Sequence, residues 1–175
     1  MVSILVLSDS HNNQLILQKV LNREVNHVNY IFHLGDEYED LDENMGLIKG
    51  KALYKVPGIF HPKYQDGTLP KRVTVMVENW AFILVHNIDD IPPVSPHADF
   101  ICFGHTHLQT FQKGEDGTHY LNPGHLKGKV DRNSPASYAV LKVSTNEVKV
   151  QFKCCEGNIT GEHLAKKHCK SGRHY

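Results

Sequence analysis

An uninterrupted aliphatic run near the start of the chain, VSILVL at residues 2–7, constrains the fold most strongly. A short apolar run that ends at polar turn residues is typical of a strand buried on both faces of a sheet. Residues 12–25 then place apolar side chains at helical spacing, with Asn12 or Asn13 able to cap a helix. NYIFHL at 29–34 predicts a second strand. This order of strand, helix and strand predicts an α/β fold that opens with parallel strands.

The rest of the chain is predicted to be mostly β. An antiparallel pair surrounds a tight connection at Glu78 and Asn79. The acidic run at 36–44 is expected to open a short helix, because carboxylates near a helix N-terminus suit the helix dipole. Further strands are predicted at residues 52–56, 98–104, 108–113, 118–122, 137–143 and 147–153.

Length and composition favour one domain. The chain has 175 residues, 40% of them hydrophobic, which is enough for one core and too little for two. We expect a domain over residues 1–155 and a C-terminal tail over 156–175. Together with Cys154 and Cys155, the Cys and His residues of that tail could trap a soft metal ion. Their spacing matches no strong motif, so a flexible or helical basic tail is the favoured interpretation.

Charge and hydropathy exclude several classes of partner. Lys plus Arg and Asp plus Glu number 19 each, so overall charge draws the chain to neither nucleic acid nor an anionic membrane. No run approaches the ~18 apolar residues of a membrane span, and cytoplasmic location is the expectation. The four cysteines have no framework spacing, which favours reduced thiols over disulfides.

Polar side chains follow four of the predicted strands at the point where each strand ends. In an α/β sheet the ligand crevice lies outside the C-terminal ends of the strands, so these side chains are expected to converge. Within each D-x-H or H-x-H pair, an extended backbone would point both side chains the same way. The residues concerned are Asp9 and His11, Asp36, His86, and His105 and His107.

Taken singly, each of these residues has a simpler explanation. A lone Asp after a strand is usually a turn or cap residue, and a lone His is usually a hydrogen-bonded surface or core residue. D-x-H and H-x-H motifs that each follow a buried strand are harder to explain in that way. Mixed imidazole and carboxylate ligands favour borderline divalent ions such as manganese, iron or zinc. Six ligands suit two ions about 3.5–4 Å apart that share a carboxylate.

These motifs resemble the calcineurin-like metallophosphoesterase superfamily, and NPG indicates its small bacterial and archaeal phosphodiesterase branch. The resemblance extends from Ser3 to about Phe152. It implies a four-layer αββα sandwich, in which two mixed β-sheets are flanked by helices, with a dinuclear site at the strand ends. The matching motifs are DSH (9–11), GD (35–36), VHN (85–87), GHTH (104–107) and NPG (122–124).

The resemblance also implies a ligand set and an activity. Asp36 would bridge two divalent ions, with manganese the first expectation and iron, zinc or nickel the alternatives. The implied activity is hydrolysis of small phosphodiesters, by in-line attack of a hydroxide that bridges the ions. The first ion would be held by Asp9, His11, Asp36 and His107, and the second by Asp36, His86 and His105.

The turn Gly58-Ile59-Phe60-His61 departs from the family pattern. Family members carry Gly-Asn here, and the Asn oxygen is a ligand of the second ion. Ile59 has no oxygen, so that ion should be held more weakly unless another group substitutes. His61 is the candidate, either as a replacement ligand or as the acid that protonates the leaving group. The alternative is an exposed loop histidine before Pro62.

Three classes of function remain open from the sequence. The first is a phosphoesterase with a small phosphate-ester substrate, since no basic stripe or aromatic platform suits long nucleic acid. The second is a catalytically impaired binding scaffold, as in the retromer subunit that shares this fold. The third is a one-metal sensing or storage protein. Retention of all six ligands favours the enzyme. A homo-oligomer is left open, and His33 is interpreted as a packed residue behind the ligands.

Overall fold

Two mixed β-sheets pack face to face in the computed structural model, which describes residues 1–92 and 98–167. The first sheet runs in the order β13 (Ile159–Lys166), β12 (Glu147–Cys154), β11 (Ser137–Val143), β1 (Val2–Leu7), β2 (Tyr30–His33) and β3 (Ala52–Lys55). The second runs in the order β4 (Arg72–Val77), β5 (Trp80–Val85), β6 (Phe100–Cys102), β8 (His119–Asn122) and β7 (Thr110–Lys113). A small hairpin joins β9 (Val130–Asp131) to β10 (Ser134–Pro135). The predicted two-sheet α/β fold is confirmed.

Strand β1 explains why the opening run is apolar without interruption. Ile4 and Val6 lie in the core between the two sheets, whereas Leu5 and Leu7 lie in a second core on the outer face of the first sheet. All four side chains are fully buried. A strand covered on both faces needs no polar alternation, so the run itself specifies a central strand.

Helix α1 (Gln14–Glu24) covers the outer face of the first sheet. Its buried side chains include Leu17, Val20 and Leu21, which recur at helical spacing. The Asn13 side chain caps the helix by accepting a hydrogen bond from the Ile16 N–H at 3.2 Å. The predicted helix and its cap are both confirmed, and the helix fixes the loop that precedes it.

The outer face of the second sheet carries a smaller core, which includes Ile83, Val85, Ile101 and Phe103. Among the described residues, the segment between β5 and β6 contains one helical element, a single 3₁₀ turn at Ile88–Asp90. The IPPVSP segment (91–96) begins at the end of this turn, and residues 93–97 lie outside the described part of the chain.

The acidic run forms less helix than predicted. Residues 36–44 contain a 3₁₀ turn at Asp42–Asn44 and otherwise follow irregular turns. Asp40 gives the physical reason, since its buried carboxylate accepts from the Asn12 N–H at 3.0 Å and its carbonyl accepts from Gln14. These contacts tie the run to the loop before α1 and prevent a regular helix.

Part of the predicted tail is a strand. Residues Ile159–Lys166 form β13 at the edge of the first sheet, so the expectation of a flexible or helical segment is wrong there. The strand is mostly exposed, which removes the alternation that would have predicted it. Its His163 stacks on Phe111, with ring centroids 4.7 Å apart. The other His and Cys residues of the tail, at 168, 169 and 174, lie outside the described residues.

Cys102, Cys154 and Cys155 are free thiols, as predicted for these three. Within the two described ranges, no helix is both long enough and apolar enough to cross a bilayer.

Candidate metal centre

The strand ends bring the predicted ligands to one edge of the sandwich. Strands β1 and β2 are parallel neighbours in one sheet, and β5 and β6 are parallel neighbours in the other. Backbone contacts join the loops at this edge. The His105 N–H donates to Asp9 Oδ2 at 3.0 Å, and the Gly104 N–H donates to the His86 carbonyl at 3.0 Å. The convergence of loops from both sheets therefore agrees with the sequence-based expectation.

Asp9, His11 and His107 form one cluster of potential ligands, with one ligand atom from each lying within 4.8 Å of the others. His107 Nε2 lies 3.1 Å from Asp9 Oδ1 and 3.3 Å from His11 Nε2. The second oxygen of Asp9, Oδ2, accepts hydrogen bonds from Ser8 and from the His105 backbone. These contacts leave Oδ1 directed at the cluster.

A second cluster contains Asp9, Asp36 and His86, again within 4.8 Å. The His86 Nδ1–H donates to the Leu34 carbonyl at 2.7 Å, which leaves Nε2 as the ring atom with a free lone pair. Asp9 belongs to both clusters. The assignment of each ligand to one ion, and of Asp36 as the bridge, stays a prediction.

Asp36 gives the clearest indication that the centre suits a cation. Its Oδ2 is buried and has no hydrogen-bond partner among the described residues. The same atom lies 2.6 Å from His11 Nδ1, a distance that would suit a charged pair but without hydrogen-bond alignment. When two potential ligand atoms lie this close together without forming an aligned hydrogen bond, they are suited to bind one positive ion between them. The residues present thus fit a divalent metal.

His105 lies beside the two clusters and belongs to neither of them. Its ring makes an edge contact with His86, with centroids 5.3 Å apart, and its side chain is partly exposed. A partly exposed ring can change rotamer more easily than a buried one, so this position is compatible with the predicted role as a ligand. That role is a prediction.

The backbone at the centre is strained. Five of the six predicted ligands have positive φ: Asp9 (52°), His11 (47°), Asp36 (78°), His105 (65°) and His107 (64°). A non-glycine residue in this region costs about 1–3 kcal/mol, and such residues concentrate at functional sites. The expectation that an extended backbone aligns the D-x-H and H-x-H pairs is wrong, since left-handed turns bring the side chains together.

Burial and neighbouring charges set the protonation of the centre. Burial opposes ionisation of Asp9, yet hydrogen bonds from His107 and Ser8 hold its pKa below the ordinary value. Desolvation lowers the pKa of His11 and of His105. The hydrogen bond to Asp9 raises the pKa of His107. Neutral His11 and His105 rings offer lone pairs to a cation, whereas a cation at His107 must compete with a proton.

The turn with the unusual sequence lies against Asp36, but His61 is engaged elsewhere. His61 caps the short helix α2 (Pro62–Gln65), its Nδ1 accepting from the Lys63 N–H at 3.1 Å. Its Nε2–H donates to Glu39 Oε1 at 3.0 Å. Both ring nitrogens are therefore used, and neither ligand cluster in the described residues includes His61. A role in ligation or acid catalysis stays a prediction, and it would require one of these bonds to break.

Gly58 supports the centre through its missing side chain. An added Cβ would lie 2.5 Å from Asp36 Cα and 2.7 Å from its carbonyl oxygen, both backbone atoms that cannot move aside. We expect Gly58→Ala to lower the free energy of unfolding by about 1–3 kcal/mol and to weaken metal binding. Thermal unfolding and calorimetric Mn²⁺ titration measure the two effects. Gly46→Ala is the control, because an added Cβ meets nothing there within 4 Å. Equal behaviour of the two variants would refute the prediction.

Sequence reasoning missed Asp131. Its carboxylate accepts a 2.6 Å hydrogen bond from His107 Nδ1–H, and this bond is the main cause that lowers the pKa of Asp131 to about 2. No short sequence motif includes Asp131. The residue lies on the β9–β10 hairpin, well separated along the chain from GHTH. Only folding of that loop over the strand ends brings the carboxylate to His107.

Comparison with known proteins agrees with this geometry. A family model for the Calcineurin-like phosphoesterase superfamily domain matches residues 2–146. The chain therefore belongs to the calcineurin-like phosphoesterase superfamily. It is 24% identical over 167 residues to the probable metallophosphoesterase YsnB of Bacillus subtilis, covering 90% of this chain and 94% of that protein.

Solved structures show the same fold. A predicted phosphoesterase from Streptococcus pneumoniae TIGR4 is 21% identical, with a TM-score of 0.69 over 95% of this chain and 98% of that one. Vps29 from Entamoeba histolytica in complex with Zn²⁺ is 17% identical, with a TM-score of 0.65 over 94% of this chain and 98% of that one. At these identities the likeness establishes the architecture.

Proposed function

We propose that this protein is a metal-dependent hydrolase of small phosphodiesters. The observation that carries the proposal is the convergence of carboxylate and imidazole groups from both sheets into two clusters that share Asp9. Membership of a superfamily of phosphoesterases supports the reaction class. The strained backbone of five of the predicted ligands supports a functional rather than a structural reason for the cluster.

The proposed ligands are Asp9, His11, Asp36, His86, His105 and His107. Two divalent ions would use the full set, with manganese as the first candidate and iron, zinc or nickel as alternatives. The zinc complex of Entamoeba histolytica Vps29 supports a divalent ion on this fold. Such ions supply charge neutralisation for the phosphate and a lowered pKa for water.

The chain's own residues hold the centre in place. Hydrogen bonds fix one Asp9 oxygen, and the Leu34 carbonyl fixes the His86 ring. Preorganised ligands need no rearrangement when the reaction charge develops. A proton for the leaving group would have to come from a group at the rim, and His61 could supply it only after it releases Glu39.

The substrate is proposed to be a small phosphate ester rather than a polymer. Acidic and basic residues balance, so no net field attracts nucleic acid. Local positive charge comes from Lys127 and Arg132 in the segment that follows NPG, although both pair with the single carboxylate of Asp131. A cytoplasmic location and the oligomeric state stay predictions from the sequence.

The decisive experiment is reconstitution of metal-free protein with Mn²⁺, followed by parallel assays on bis(p-nitrophenyl) phosphate and p-nitrophenyl phosphate. We expect Mn²⁺ to restore turnover and the diester to be hydrolysed faster. Circular dichroism confirms that the protein is folded before and after. If folded, metal-loaded protein hydrolyses neither ester, the proposal fails. Faster monoester hydrolysis would keep a phosphoesterase and refute diester preference.

A binding scaffold is the second candidate, and Ile59 is the observation that favours it. The aliphatic side chain offers no oxygen at the position where the family pattern places a ligand. Weak binding of the second ion would lower turnover, and the protein would then act by binding partners on its surface.

The two candidates differ in their response to Ile59→Asn. We expect this change to strengthen binding of the second Mn²⁺ by about tenfold, because an amide oxygen adds a neutral ligand. Titration calorimetry measures the affinity, and the diester assay measures turnover. Ile59→Val is the control, since it alters shape without adding a donor. Tighter binding without any turnover would favour the scaffold, and unchanged binding would show that residue 59 does not contact the ion.

A further inference from the structure

We propose that Asp131 is a positioning residue, which orients His107 for metal binding from a hairpin outside the two main sheets. This inference rests on the proposed metal centre and adds a residue that the motifs do not supply. Asp131 Oδ2 accepts from His107 Nδ1–H at 2.6 Å, while His107 Nε2 lies on the opposite side of the ring, 3.1 Å from Asp9 Oδ1. The ring thus connects the hairpin carboxylate to the ligand cluster.

The hydrogen bond fixes the tautomer of His107. Nδ1 keeps its proton in this bond, so Nε2 is the nitrogen whose lone pair becomes available when the proton shared with Asp9 is lost, and Nε2 faces Asp9 and His11. A carboxylate acceptor also makes the imidazole more basic and therefore a better ligand. The His107 side chain is only 3% exposed and the Asp131 side chain is 19% exposed, so the bond is largely shielded from solvent.

The hairpin is itself held against the H-x-H loop. Its tip residues, Arg132 and Asn133, have φ of 47° and 62°, the paired left-handed conformation of a tight hairpin turn. The Arg132 guanidinium donates to the carbonyl oxygens of His105 and Thr106 at 3.3 and 3.4 Å. These contacts connect the hairpin tip to the loop that carries His107.

Cation pairing alone does not explain the position of Asp131. Lys127 Nζ lies 3.2 Å from Oδ1, and Arg132 Nε lies 3.7 Å from Oδ2. Both distances exceed the 2.6 Å to His107, and the two cations are about half exposed. Exposed ion pairs contribute little to stability, so the short, sheltered bond to His107 is the contact with a functional consequence.

The test measures metal affinity rather than turnover. Mn²⁺ is titrated by calorimetry into metal-free wild-type protein and into Asp131→Asn, Asp131→Glu and Asp131→Ala. We expect Mn²⁺ to bind about 10–100-fold more weakly to Asp131→Ala, as for other lost partners of metal-binding histidines. Asp131→Asn retains an acceptor without charge and should lose less, and Asp131→Glu should recover part of the affinity.

Two controls separate positioning from simple stability. Glu115→Gln removes an exposed charge at the β7–β8 turn, at the opposite end of β8 from the centre, and should leave affinity unchanged. For each variant, the free energy of unfolding of the metal-free protein should change by less than the free energy of Mn²⁺ binding does.

An Asp131→Ala variant that folds and binds Mn²⁺ within twofold of wild type would overturn the inference. If Asp131→Ala does not fold, equal affinity of Asp131→Asn and wild type would overturn it in the same way. The titration contains no substrate, so it does not depend on hydrolysis. If wild-type protein binds Mn²⁺ but hydrolyses neither ester, only the proposal that the protein is a hydrolase is refuted. A graded fall in affinity would still support the role of Asp131.

Discussion

Asp36→Asn should reduce turnover of a phosphodiester by more than about a hundredfold while the protein stays folded. Loss of a residue that only supports a metal ligand typically costs 10–100-fold, and loss of the carboxylate that we propose as a bridge between two ions should cost more. Asn fits the backbone, because it tolerates the left-handed conformation that Asp36 adopts at φ 78°. The change therefore tests the carboxylate and not the turn.

Stability should move little or in the opposite direction. Asp36 Oδ2 is buried without a hydrogen bond, and desolvation lowers the pKa of the His11 ring 2.6 Å away, so replacement removes neither a hydrogen bond nor a pair with a charged ring near neutral pH. The environment also disfavours negative charge at neighbouring Glu37, because burial and then the charge of Asp36 raise the pKa of Glu37. We expect the metal-free variant to unfold at or above the wild-type temperature and to lose most of the stabilisation that Mn²⁺ confers on wild type.

Glu43→Gln is the matched control, because it removes one negative charge from an exposed position in the same acidic run. It should keep wild-type turnover and wild-type metal stoichiometry by elemental analysis. If Asp36→Asn matches this control in both measurements, Asp36 is not a ligand and the proposed centre is wrong.

The convergence of the candidate ligands can be predicted from the sequence, because each motif follows a strand whose direction determines where its C-terminal end lies. Buried runs such as 2–7 and 80–85 specify central strands, and central parallel strands place Asp9 and His86 at a common edge. The local mechanism was not accessible. Asp and His tolerate left-handed φ better than most residues, but whether Asp9 and His107 adopt it depends on the neighbouring loops.

Features that depend on long-range packing escaped prediction. Strand β13 has one neighbour and an exposed face, so its sequence carries little periodicity. Asp131 becomes informative only when the hairpin reaches His107. His61 resembled a site residue by its place in the chain, yet its two ring nitrogens bond to Lys63 and Glu39. The spacing of motifs along a chain predicts which loops meet, but it does not predict which hydrogen-bond partners a side chain has.

His33 should make the metal-free protein markedly sensitive to acid. Its ring is fully buried on β2 behind the metal centre, as predicted for a packed residue, and its Nε2 lies 3.2 Å from Ser10 Oγ. The Nδ1 atom has no partner among the described residues. Desolvation lowers the pKa of His33 from 6.5 to about 4, although the nearby charge of Asp9 acts in the opposite direction.

The direction of the pH effect follows from proton uptake. Between pH 6.5 and 4 the unfolded chain carries a proton on His33 and the folded chain does not, so acid favours unfolding over that range. A gap from 6.5 to about 4 corresponds to a loss of about 3 kcal/mol of unfolding free energy as the pH falls through it. Above pH 6.5 the group is neutral in both states, and the penalty disappears.

His33→Gln isolates this contribution, because the amide can still bond to Ser10 and does not titrate. We expect urea unfolding to show that wild type loses about 3 kcal/mol more than the variant between pH 7.5 and pH 4. Losses from carboxylates occur in both proteins and cancel in the difference. His27→Gln, at an exposed position, should track wild type. If wild type and His33→Gln lose stability in parallel, His33 takes up its proton in the folded state, and the buried ring must gain an acceptor at Nδ1 or access to water.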